Sequence, residues 1–433
     1  MDAGAYQSWK KKRKNTFAAY SIQYFAVGFE RSATRATLWI YLTNLIKAKN
    51  PELFFGLISL MYFVPPILFS MAIARLADRT RNIKLIILLC NFISMTGCII
   101  YVIPISPYYP LIGQTLLGVN SIIRPITRAE IARSYPADKM KKKTPVLMAF
   151  FFVGFASGPV IVQFIQHVDL TLFGLRITMG NLTGILSFLC IVVTQILVIF
   201  LASDLSKEYD LKEATGNGKY KLITYEKETF LHVLKNVLKT FDVLVVMIMT
   251  MVAAFFQIAF VASFPIISSL LYFPHYFVTI FYILFAAIVF VIIAVLTSTK
   301  LQKRTIYMSG LISLIVVLIA GVIQAALIKG QLNTFSNITL TILLAIAVTI
   351  AEIGEQIFLV IVASSFVSSK HQAYVESIRV TLRQVGFILG SLVSGYLVYY
   401  SYAFLIFTAV MCSIQLLIII LRRKTFENPE IVI

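Results

Sequence analysis

Two short runs place ionisable side chains in otherwise apolar surroundings: Glu30, Arg31 and Arg35 in one, Glu352, Glu355 and Gln356 in the other. An ionisable group at the centre of a bilayer costs at least about 2.5–3.5 kcal/mol on insertion scales, so it faces a cavity or a partner. Arg31 and Arg35 are four residues apart and share a helical face, while Glu30 points aside, toward another helix. Counted from Phe17, Glu30 and Arg31 lie roughly 20 Å into their segment. Two guanidiniums on one face suit an anionic substrate; the alternative is an internal ion pair that fixes helix packing. Glu352, Glu355 and Gln356 fall at i, i+3 and i+4, and two carboxylates on one face suit a proton-coupling site or charge balance. Either glutamate could instead neutralise Arg31, Arg35 or Arg124, and the two roles are compatible. Arg124, beside Pro125, either lines the same cavity or snorkels toward the cytoplasm. Gln257 and Gln324 add amides that could bind substrate, although single amides in membrane helices also serve as packing glue.

The elements that must position these groups are set by composition. The chain has 433 residues, 59% hydrophobic and 13% charged, with a mean hydropathy of +0.87. Soluble domains hold about 45–50% apolar residues, so an ordinary water-soluble enzyme is excluded. Runs near the ~20 residues a membrane helix needs occur at 17–45, 53–74, 83–103, 109–131, 146–166, 179–202, 243–269, 277–298, 305–328, 340–363, 376–398 and 402–421. They are apolar around the whole circumference, and only an α-helical bundle then satisfies the backbone. The first run is too long, and too charged at its centre, for a cleavable signal peptide.

A net charge of +19 on a soluble chain would suggest nucleic acid, but here the basic residues alternate between loops. One side collects 31 of the 38 Lys and Arg, including Lys10–Lys14, Arg128, Arg133, the seven lysines between 207 and 239, Arg379 and Arg383. The other side has only Lys47, Lys49, Arg176 and Lys329. The bias makes both termini cytoplasmic and checks the count of twelve spans independently.

The polar stretch 203–240 reads as a cytoplasmic linker between two six-helix halves, 1–202 and 241–433. Gly154-x3-Gly158, followed by Pro159, in the fifth span is answered by Gly386-x3-Gly390 in the eleventh. Small residues four apart let helix backbones approach closely, and duplicated halves are the usual basis of alternating access.

Between the second and third spans, Ala74-Arg75-Leu76-Ala77-Asp78-Arg79-Thr80-Arg81-Asn82 resembles the loop signature of the major facilitator superfamily, and Gly154-Phe155-Ala156-Ser157-Gly158-Pro159 resembles its G-x-x-x-G-P motif. Ala74 and Arg81 depart from the pattern, which prefers glycine there, so the turn must be made without that freedom. Gln114 stands where the pattern has an arginine linked to proton transfer. The resemblance implies a major-facilitator-like bundle of twelve transmembrane helices in two six-helix halves, acting as a monomer. It also implies a cytoplasmic gate in which Asp78, with Arg79, is latched by Arg128 or Arg133. Arg128-Ala129-Glu130-Ile131-Ala132 and Ser368-Ser369-Lys370 are similar to a lysosomal branch of that superfamily.

Other signals are peripheral. Asn337-Ile338-Thr339 is a glycosylation sequon, expected in the noncytoplasmic loop between spans nine and ten. Tyr220-Lys221-Leu222-Ile223 resembles a sorting signal for endosomes and lysosomes, and the plasma membrane is the alternative location. Cys90, Cys98, Cys190 and Cys412 lie singly in apolar stretches, so neither a disulfide framework nor a zinc site is supported. The four histidines are scattered, and no phosphate-binding loop, zinc-protease or serine-hydrolase motif occurs. The expectation is an all-α membrane protein, not an enzyme and without cofactor or nucleic-acid partner, that carries a small anionic or zwitterionic solute, with protons or chloride as further partners. A passive chloride channel or a nontransporting receptor or scaffold are the alternatives.

Overall fold

The computed structural model describes residues 3–135, 137–172, 174–208, 239–274, 276–298, 303–329, 333–366 and 372–427. The motifs Tyr220–Ile223 and Ser368–Lys370, and most of the linker, lie outside them. Two compact units divide the chain, Met1–Thr224 and Tyr225–Ile433.

The first unit opens with α1 (Ala3–Ile40), which widens into a π-helical turn at Tyr41–Leu45. A second rod is broken in two, α2 (Pro51–Met61) and α3 (Val64–Thr80), where Pro65 and Pro66 remove two backbone donors from the first turn of α3. The Tyr62 carbonyl, whose helical acceptor role would need the missing N–H of Pro66, instead lies against Gly118. That glycine ends α5 (Tyr108–Gly118), and a 3₁₀ turn at Val119–Ile122 leads into α6 (Ile123–Ser134). The remaining rods are α4 (Ile83–Val102), α7 (Ala137–Ile165) and α8 (Met179–Leu201), followed by the short α9 (Leu205–Glu208).

Between α7 and α8 the chain forms an antiparallel hairpin, β1 (Asp169–Leu172) and β2 (Leu175–Thr178), turning at Gly174 with φ +77°. Thr178 and Asn181 then form a reciprocal capping box on α8. The α3–α4 turn is closed by Arg81 in the left-handed region, φ 54°, its N–H donating to the Ala77 carbonyl at 2.9 Å. The position where the loop signature prefers glycine thus takes the backbone conformation that glycine favours, with an arginine in place.

The second unit holds α10 (Phe241–Leu270), α11 (Tyr276–Ser298), α12 (Lys303–Lys329), α13 (Thr334–Ser365), α14 (Gln372–Ser394), α15 (Ser401–Leu421) and the short α16 (Arg423–Glu427). Its core gathers on α10, where Phe256 and Phe260 meet Phe404 edge-on at 6.1 and 5.6 Å.

Close backbone packing recurs in both units. A Cβ on Gly154 would fall on the Phe25 carbonyl of α1, and one on Gly158 on Ser32. In the second unit a Cβ on Gly386 would fall on the Met251 carbonyl of α10, and one on Gly390 on that of Phe255. The fifth rod of each half therefore lies directly on the first, as small residues at four-residue spacing permit. Eight segments among the described residues are long and apolar enough to cross a membrane. α1 carries Glu30, Arg31 and Arg35 in its C-terminal third, and the rod made by α5 and α6 is interrupted by its 3₁₀ turn.

The sequon requires a correction. α13 starts at Thr334, six residues before the expected Leu340, because the Asn333 side chain caps it by accepting the Ser336 N–H at 2.9 Å. Asn337 is therefore inside the first helical turns and 9% exposed, not on the expected loop.

Candidate functional site

In the first unit, α1 turns Arg31, Thr34 and Arg35 toward Ser59 and Tyr62, at the break between α2 and α3, and toward Gln114 on α5; together they border a small cavity with room for about one water. The helix break is what brings aromatic rings to the arginines. The Arg31 guanidinium lies 5.6 Å from the Tyr62 ring centre and 5.1 Å from that of Phe63, with Arg35 at 5.8 Å from Phe63. Such cation–π contacts are worth about 0.5–2 kcal/mol, more when dry. Ser121, in the 3₁₀ turn, donates to the Tyr62 hydroxyl at 3.1 Å and so orients the ring.

Arg124 does not border that cavity. Its guanidinium lies over Phe151 on α7 at 5.0 Å, within electrostatic reach of Arg31. Glu30 points the other way, into the interior of the unit, fully buried; neither of its carboxylate oxygens has a hydrogen-bond partner among the described residues.

In the second unit, Glu352 and Glu355 project from one face of α13 into a small cavity, with room for about one water, that Gln257 and Phe256 of α10 also border. Glu352 accepts from Arg383 of α14 at 2.5 Å, and Gln257 Oε1 is 3.4 Å from the same guanidinium nitrogen. The spacing of Glu352 and Glu355 thus put both at one cavity, but it gave no hint of Arg383, which had counted among the cytoplasmic basic residues. The available signal was its position eight residues inside a helix-forming run, seven before Gly390. Gln324 lies apart from this group and donates to Ser263 at 2.7 Å, joining α12 to α10.

At the ends of the helices, Arg79 is exposed, and Arg128 donates to the Met148 sulfur at 2.8 Å. The side chain of Asp78 lies outside the described residues. Glu130, unremarked from sequence except within a motif, accepts the Ser206 backbone N–H at 2.8 Å. That bond belongs to a clasp in which Trp9 donates to the Leu205 carbonyl at 3.3 Å and Lys12 pairs with Glu208 at 2.7 Å. Arg13 donates to the Ser134 carbonyl at 3.0 Å while lying 4.9 Å from the Trp9 ring centre and 4.6 Å from that of Tyr135.

On the hairpin, Arg176 forks Asp169 at 2.9 and 2.7 Å. This charge-assisted hydrogen bonding holds the Asp169 carboxyl below the usual aspartate range. Among the described residues, no group of three or more His, Cys, Asp or Glu could hold a metal ion.

The family model described as the Major Facilitator Superfamily matches residues 20–354. No curated protein matches the chain. Among solved structures, a bacterial homologue of the human lysosomal transporter Spinster, inward-facing and unoccupied, superposes with a TM-score of 0.66 at 14% identity, covering 90% of this chain and 83% of that one. The nucleoside transporter NupG gives 0.66 at 14% identity over 95% of this chain and 99% of that one. The xylose transporter XylE from E. coli gives 0.64 at 13% identity, with 94% and 95% covered. At these identities the likeness is one of fold.

Proposed function

Because the chain belongs to the major facilitator superfamily, we propose that it is a secondary transporter moving a small anionic or zwitterionic solute across a membrane by alternating access. The observation that carries this reading is the cavity of the first unit, where Arg31 and Arg35 stand beside Ser59, Tyr62 and Gln114. Guanidinium forks match carboxylate or phosphate oxygens bidentately, and the aromatic rings beneath them fix their orientation. Arg124 adds positive potential to the same region.

Glu352 and Glu355 serve as the proton-coupling or charge-balancing pair. Protonation of Glu352 would release Arg383, so the ion pair on α13 and α14 is the element that a proton biases. Glu30 is a third candidate for proton binding. Asp78, with Arg79, Arg128 or Arg133, forms the cytoplasmic latch. The Lys and Arg distribution favours cytoplasmic termini, and the lysosomal-branch resemblance, with the Spinster homologue among the structural neighbours, favours an endolysosomal membrane. The chain works as a monomer.

The test is electrical. Purified protein in liposomes on a solid-supported membrane is given pH and chloride gradients, alongside Glu352→Gln and Arg35→Ala. A pH-driven current lost in Glu352→Gln supports coupling through α13. A sustained chloride current lost only in Arg35→Ala overturns the carrier in favour of a passive channel. Silence to both gradients, together with no flux of carboxylate or phosphate solutes, points to a receptor or scaffold.

A further inference from the structure

On one face of α1, Tyr20, Gln23, Glu30, Thr34 and Thr37 recur at heptad spacing, and none is more than 1% exposed. Such a seam between membrane helices is ordinarily small or apolar. Here it meets Asn91 and Tyr101 on α4 and Thr183 on α8; Ser94 and Ser187, also buried, lie one turn from Cys98 and Cys190 on the same two helices. It is tied directly at two places, one on either side of Glu30. Gln23 bonds with Asn91 at 2.9 and 3.0 Å and donates to Asn120 at 3.0 Å, while Thr37 and Thr183 hydroxyls lie 3.1 Å apart.

Its middle is different. Both oxygens of Glu30 and the hydroxyls of Ser94 and Ser187 have no hydrogen-bond partner among the described residues, and neither does the Tyr20 hydroxyl at the end beyond Gln23. Buried polar groups are almost always partnered, and where a polar seam leaves several together, bound water is what satisfies them. Glu30 is faced by Arg31 on its own helix, Tyr62 at the α2–α3 break, Cys98 and Tyr101 on α4, and Cys190 on α8. At the other end of the seam Tyr20 is within electrostatic reach of Glu130 and Asp204. Ten residues of helix separate Tyr20 from Glu30, roughly 15 Å at about 1.5 Å per residue.

We propose that this seam holds a file of bound waters inside the first unit, and that Glu30 takes up and releases its proton along that file. The proton enters from water at the Tyr20 end and hops between water and hydroxyl oxygens. It forms one O–H bond on the Glu30 carboxylate, and release reverses the sequence. The inference rests on the reading of Glu30 as a proton-binding group and supplies its route.

The test is infrared spectroscopy of the purified full chain in liposomes. A protonated-carboxyl C=O band that Glu30→Gln removes is expected, shifting on transfer to deuterium oxide. In Ser94→Ala/Ser187→Ala that shift is expected to slow by about tenfold, the rate equivalent of roughly one relay hydrogen bond lost. Radiolytic hydroxyl labelling of the unmodified protein, which marks side chains beside bound water, should reach Cys98 and Tyr20. Absence of a Glu30 band, exchange in the double variant at the unmodified rate, or no label at Cys98 and Tyr20 would each overturn the file. Neither readout needs a substrate, so failure of the transport currents is a separate outcome.

Discussion

The Arg383 guanidinium on α14 closes to 2.5 Å on Glu352 of α13, with the Gln257 carbonyl oxygen of α10 at 3.4 Å, so one side chain joins three helices of the second unit. The pair is partly screened, at 27% and 12% side-chain exposure. Breaking a fully buried pair costs about 3–5 kcal/mol, and with water at the arginine about 1–3 kcal/mol is expected for Arg383→Gln or Glu352→Gln alone. The double variant should recover most of that loss, since neither charge is then stranded. Denaturation midpoints in detergent, combined as a double-mutant cycle, check this; strict additivity would contradict it.

Arg81 closes α3 at φ 54°. Arg81→Gly should leave stability nearly unchanged, because the relieved backbone strain offsets the added freedom of the unfolded chain. Arg81→Val should lose about 1–2 kcal/mol, as a β-branched residue is poorly suited to that region. Thermal midpoints of the two variants that coincide would refute the assignment.

Gly154 and Gly386 sit where any side chain meets a carbonyl of the neighbouring helix. Valine at either should cost at least about 1–3 kcal/mol, since the obstruction is backbone and cannot swing aside. Gly321 is the internal control: a Cβ there would meet only side-chain atoms, Leu405 at 3.2 Å and Thr408 at 3.7 Å. Gly321→Ala should be neutral or gain about 0.4–1 kcal/mol. Folded yield and midpoint in detergent read all three.

The hairpin should respond to acid. Its Asp169 carboxyl, lowered by Arg176, favours the folded hairpin above the ordinary aspartate range, and that contribution fades as pH falls through the lowered value. Amide exchange at Leu170 and Ile177, corrected for its intrinsic pH dependence, should therefore quicken at low pH. Arg176→Gln should flatten the response; an unchanged profile would mean the pair does not hold the hairpin.

Much of this was legible in the sequence, and the failures have physical causes. Hydropathy located the rods, and the i, i+3 relation of Glu352 and Glu355 put both at one cavity. Periodicity does not show where a rod breaks, yet the Pro65–Pro66 break is what carries Tyr62 and Phe63 to Arg31. Asp169 to Leu172 and Leu175 to Thr178 alternate polar and apolar about Gly174, but four residues a side are too few for that alternation to single out a hairpin. Arg383 was hidden because a charge near a helix end looks the same whether it meets water or a carboxylate. On α1 the neutral members of the stripe, Tyr20, Gln23, Thr34 and Thr37, carry no charge that would set them apart in the sequence from ordinary helix residues.

The clasp at the end of α8 alters where the two halves can be severed. Ser203 donates to Thr16 at 3.0 Å, Asp204 accepts the Lys84 backbone N–H at 2.8 Å, and Lys207 reaches Asn82 at 2.9 Å. Together with the Trp9, Lys12 and Glu130 bonds, residues 203–208 belong mechanically to the first unit. A split version of the protein, expressed as two polypeptides, should therefore be cut after Glu208; a cut at Leu201 would leave the buried Trp9 indole and the Glu130 carboxylate without their seats.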